Sequence, residues 1–120
     1  MNRELRQGML IVVLASGLLL AAGFAAAQEQ LLPLCPDGAV TAENPLPNGR
    51  AQTVRCSGSV QAVYDHYRAA MQRAGYDLVV EAIEPDRGGL AGVAKAGERM
   101  SVTISAKDGG VEAVIDQTDS

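Results

Sequence analysis

The chain is poor in the residues that most binding and catalytic sites are built from. Its 120 residues include no tryptophan, one phenylalanine, three tyrosines and one histidine. With 3% aromatic residues, any core must be aliphatic side chains and methionine, and a surface that works by stacking rings on bases has no material. Two cysteines and His66 cannot complete a four-ligand zinc site, so no metal is expected. The sequence contains no G-x-S-x-G nucleophile elbow and no glycine-rich phosphate loop, and no cofactor is expected. Basic charge is also scarce, with 10 Lys and Arg against 14 Asp and Glu and a net charge of -4. Nucleic acid needs a basic face, so it is excluded as a partner. The length fits one small domain.

What is present begins with a long uncharged run. Residues 1–27 place Arg3 and Arg6 ahead of the apolar stretch Met9–Phe24, and Ala25-Ala26-Ala27 follows. This is the layout of a secretory signal peptide cut between Ala27 and Gln28. A second reading stays open: residues 9–27 are just long enough to span a bilayer as an uncleaved anchor, with the arginines on the cytoplasmic side. Membrane contact is expected only through this segment, and only if it is uncut. Both readings put the remainder outside the cytoplasm, either periplasmic or secreted, or held at the inner membrane.

Cys35 and Cys56 both fall in the exported part. In an oxidising compartment two cysteines are read as one disulfide. A redox site would want a C-x-x-C spacing that lowers one thiol pKa, and these two lie far apart.

Residues 28–50 form a proline-rich extension of loop character, with Pro33, Pro36, Pro45 and Pro47 and the turn pairs Asp37-Gly38 and Asn48-Gly49. Residues 51–116 hold an α+β domain, and 117–120 a polar tail. Ala51–Cys56 reads as a strand. Ser59 caps a helix whose apolar positions Val60, Val63, Tyr64, Tyr67, Met71 and Ala74 form one stripe, and Gly75 ends it. Tyr76–Ile83 and Leu90–Lys95 are strand-like. Arg99–Ala106 alternates with Met100, Val102, Ile104 and Ala106 inward, and Lys107-Asp108-Gly109-Gly110 turns into a last strand, Val111–Asp116. The expected fold is one amphipathic helix packed on an antiparallel sheet of about four strands. One helix covers one face, so the other is polar or meets a partner.

Leu32-Pro33-Leu34-Cys35-Pro36-Asp37-Gly38-Ala39 resembles the L-P-x-Y-P-G-A opening of a set of uncharacterised small exported bacterial domains. Ser59, Val63 and Tyr67, then Ala74-Gly75-Tyr76, are similar to the capped helix of those domains, which ends in A-G-(W/Y) before a hairpin-rich half. Cys35 stands where the pattern has tyrosine, and Asp37 is an added residue. The resemblance implies an envelope compartment and an α+β fold, and no activity.

Candidate site residues are few. His66 lies about 120° from the apolar stripe at roughly 100° per residue and reads as a solvated surface side chain. Glu81, Glu84 and Asp86 lack the alternating oxygen spacing of a calcium loop. Tyr64 and Tyr67 are core residues by spacing, and their polar ends could line a ligand groove between helix and sheet. The expected function is a non-catalytic exported module that binds a protein or envelope component. The alternatives are a small-ligand carrier and a thiol-dependent enzyme. An exposed sheet edge would offer strand addition.

Overall fold

The computed structural model describes residues 30–119. The expected leader, residues 1–27, and its cleavage point lie outside them. The elements run β1 (Ala39–Leu46), β2 (Gly49–Cys56), α1 (Val60–Arg73), β3 (Tyr76–Glu84), β4 (Arg87–Ala94), β5 (Arg99–Lys107) and β6 (Gly110–Thr118). The strands make one sheet in the order β1-β2-β6-β5-β4-β3, with all neighbours antiparallel. The α+β class and the single helix agree with the sequence reading. The sheet has six strands and not about four. The largest difference is β1, which falls in the stretch expected to be loop. Its sequence, AVTAENPL, has no alternation of apolar and polar residues. It also carries Pro45, which cannot donate to a ladder and is tolerated here because β1 is an edge strand.

The helix forms where its caps and stripe place it. The Ser59 hydroxyl accepts from the Ala62 amide at 3.1 Å, satisfying one of the first-turn donors. Gly75 ends the helix at φ 94°, a left-handed value that glycine adopts without a Cβ clash. Val60, Val63, Tyr64, Tyr67, Ala70 and Met71 are buried. Ala70 thus takes the place expected of Ala74, which is exposed at the C-cap.

A six-stranded sheet is about 24 Å wide at roughly 4.8 Å per strand, and one helix is only about 10 Å across. Helix α1 packs over β3, β4 and β5. The uncovered part of that face, over β2 and β6, is closed by the segment Leu31–Pro36, which runs as a strap beside the helix. Leu32 (3% exposed) enters the core, with Leu31 and Leu34 packed against it. The buried Gln52 side chain accepts from the Leu31 amide at 3.0 Å. The Ser57 amide donates to Pro36 O at 3.2 Å. The Cys35–Cys56 disulfide ties the strap to the end of β2, so the disulfide reading holds. The core between strap, helix and sheet gathers Val54, Cys56, Met100, Val102, Ile104, Val111, Ala113 and Ile115. Burial of each larger aliphatic side chain contributes roughly 1.5–3 kcal/mol. No helix among the described residues is long and apolar enough to cross a membrane.

Tyr67 is fully buried, and its hydroxyl has no hydrogen-bond partner of normal geometry among the described residues. Burial pushes its phenol pKa up, while the neighbouring Cys35 backbone acts in the opposite direction. A buried hydroxyl without a partner costs more than it contributes. Tyr67→Phe is therefore expected to leave the urea midpoint unchanged or raise stability by about 1 kcal/mol. A clear loss in the same titration would show that the hydroxyl is satisfied.

Candidate functional site

The alternation of each strand sorts its residues between two faces. Met100, Val102 and Ile104 of β5, and Val111, Ala113 and Ile115 of β6, point to the helix side and are buried. Their neighbours Ser101, Thr103 and Ser105, and Glu112, Val114 and Asp116, point the other way. The register extends this open face across β2 through Ala51, Thr53 and Arg55, and across β4 through Gly89, Ala91 and Val93. No element among the described residues lies over it.

Both edge strands carry an irregularity, between Val40 and Ala42 in β1 and between Leu78 and Val80 in β3. Bulges increase local twist and bend a strand. The sheet is accordingly bowed, and Leu46 from one edge and Val79 from the other line the same cleft on the open face, about 530 Å³ in volume. Its floor and walls add Ala91, Val93, Arg99, Ser101, Asp116 and Thr118. The face is graded in character. At the cleft end, Leu46, Val79, Ala91 and Val93 make it largely apolar. At the opposite end Arg55 donates to Lys107 O at 2.7 Å and to Asp108 O at 3.2 Å, and Lys107 pairs with Glu112 at 3.5 Å.

The residues singled out from sequence fall elsewhere. Tyr64 and Tyr67 are 6% and 0% exposed and sit in the core, because both lie on the helix stripe that packs on the sheet. Neither lines the cleft. His66 is not the solvated side chain its wheel position suggests. It is half-buried, and its Nε2–H donates to Pro33 O at 2.8 Å, since a carbonyl can only accept. Its ring stands edge-on to Tyr67, with centroids 4.8 Å apart. It pins the strap to the helix. Glu81 pairs with Arg68, while Glu84 and Asp86 flank Arg87 at 3.2 and 3.9 Å, so these acids sit in ion pairs at the β3–β4 hairpin.

Chemically the open face offers hydroxyls, small aliphatic side chains and a few charged groups, of which Glu112, Arg55 and Asp116 already have partners. Among the described residues no group of three or more His, Cys, Asp or Glu could hold a metal ion. Both sulfurs are in the disulfide, so neither is a thiolate nucleophile. The cleft was not visible from sequence, since Leu46 lay in an apparent loop and Val79 in an apparently regular strand. One signal was there: the doublet Val79-Val80 breaks a period-two pattern, as a bulge does.

A polar network stands at the rim of the strap. Glu43 of β1 accepts from Gln52 at 2.8 Å and from Arg50 at 2.9 Å. These hold the Glu43 carboxyl below its usual 4.5, with the Gln52 amide the largest cause, burial opposing it, and Arg50 assisting. The group binds its proton more weakly in the folded state than in the unfolded one. Its contribution to stability is therefore complete above the unfolded pKa and is lost as pH falls through the folded pKa. Glu43→Gln is expected to flatten the acid limb of stability below about pH 4.5. Parallel acid unfolding curves for the two proteins would contradict this.

Comparison with known protein families, with curated proteins and with solved structures gives no match for this chain.

Proposed function

We propose that this chain is an exported, non-catalytic module that binds a protein of the cell envelope on its open sheet face. The observation that carries the reading is the asymmetry of the sheet. The helix and strap cover one face, and a disulfide locks the strap in place, while no helix or strap among the described residues covers the other. Its apolar end, formed by Leu46, Val79, Ala91 and Val93, is the part of this face that supports contact with a partner. A photo-crosslinking amino acid at Thr103, on the open face, should give a discrete protein adduct in the native host. The same group at Gln72, exposed on the helix, should not. Absence of adducts from Thr103, or equal adducts from both positions, would overturn the reading.

The cleft supports a second reading, a carrier of small apolar molecules. Its 530 Å³ falls within the roughly 300–1,000 Å³ of small-molecule sites. Native mass spectrometry of the protein from its host should then show a co-purified molecule that a Val93→Glu variant loses. Protein recovered bare in every preparation would dismiss it.

A further inference from the structure

The two sheet edges are unlike. Edge β1 is blunted by Pro45, and its two larger apolar residues, Val40 and Leu46, are half-buried. Among the described residues edge β3 pairs only with β4, so its outer row of backbone groups has no strand partner there. Its Val79, Val80 and Ile83 are 66%, 48% and 39% exposed and are the exposed large apolar side chains among the described residues. An open edge with exposed valines is a template for another strand.

We infer that a second copy of this chain fills the edge, with the two β3 strands antiparallel about a two-fold axis between Val79 and Val80. The register argues for self-pairing. In a regular strand, side chains alternate between faces, and pairing about an axis between adjacent residues would set inward side chains against outward ones. The β3 bulge removes this conflict. Leu78 aligns with Gly92 and Val80 with Ala91, so the extra residue puts Val79 and Val80 together on the open face. About the proposed axis Val79 then opposes Val80 of the second copy. Leu78 opposes Glu81, Asp77 opposes Ala82, and Tyr76 opposes Ile83, every pair on a common face. No carboxylate faces another, and Glu81 is already neutralised by Arg68 of its own chain. The valines of both copies cluster at the centre. An isologous contact of this kind closes and does not propagate. It joins the two sheets into one and sets the two open faces side by side, and it does not depend on what those faces bind.

Sedimentation equilibrium of the disulfide-bonded protein, from micromolar to sub-millimolar, tests this. The expected result is a monomer–dimer equilibrium that tightens with added salt, because both copies are acidic. Val80→Lys should raise the dissociation constant at least about tenfold, with an unchanged circular dichroism spectrum. Val79→Glu should do the same. Mixing V79E with V80K should restore a dimer, since the register sets the glutamate against the lysine of the other copy. A protein that stays monomeric throughout would overturn the proposal. So would a dimer that V80K leaves intact, or that Thr41→Lys on β1 weakens equally.

Discussion

Replacing both cysteines in a C35A/C56A variant will lower the free energy of unfolding by roughly 3 kcal/mol in the chain-entropy account of a loop of this size. The bond closes a separation of 21 residues, and a domain of this size has only about 5–15 kcal/mol to lose. The effect will be concentrated on the strap. Without the bond, Leu31–Pro36 keeps Leu32 in the core, the Gln52 contact to the Leu31 amide, the His66 contact to Pro33 O and the Ser57 amide on Pro36 O. Each hydrogen bond contributes about 1 kcal/mol net. Fixing each backbone residue costs about 1–2 kcal/mol. The strap will therefore open ahead of the sheet, and the amides of β2 will exchange faster than those of β5. Urea unfolding with and without the variant checks the magnitude, and hydrogen exchange checks the order. Uniform acceleration across β2 and β5 would contradict the strap's separate role.

Gly49→Ala will cost about 3 kcal/mol, the upper range for overpacking. Gly49 opens β2 directly after the β1–β2 turn and sits opposite Thr118. A Cβ placed there would lie 1.8 Å from Gln117 O and 2.8 Å from Thr118 Cα. Those atoms are backbone of the neighbouring strand, so relief requires β2 and β6 to separate. The cost has nothing to do with the left-handed conformation that glycine usually supplies. Gly89 is the control, because a Cβ there meets nothing within 4 Å. Gly89→Ala should change stability by less than about 0.5 kcal/mol. Similar thermal midpoints for the two variants would remove the argument.

The parts of this fold legible in the sequence are those set by local chemistry. Ser59, the stripe from Val60 to Met71 and Gly75 define the helix because caps and a 3.6 period are properties of consecutive residues. The Met100-Val102-Ile104 alternation defines β5 for the same reason. Edge strand β1 is written less plainly, since half of its surroundings are solvent and its residues need not alternate. The wheel position of His66 does not show its burial, because its partner, Pro33 O, lies in a strap whose path depends on the disulfide and on Leu32 entering the core. Tyr64 and Tyr67 lie on the stripe that their spacing marks, yet a stripe does not say whether a groove stays open beside it. The cleft is a property of the bowed sheet as a whole, arising from bulges at both edges.

Strand order also has a kinetic consequence. β6 comes last in the chain but is one of the two central strands of the sheet, between β2 and β5. As the polypeptide emerges from its N-terminus, the β1–β2 hairpin has no partner on its inner edge until residues 110–118 arrive. The meander from β3 to β5 can zip by short turns meanwhile, but the two halves stay separate. Joining β2 to β6 closes the longest loop in the sheet, and such long-range pairings are the slow ones. Cys35 and Cys56 both lie on the early side of that wait. Their bond can form before the sheet is complete, holding the first hairpin and strap in place for the strand that arrives last.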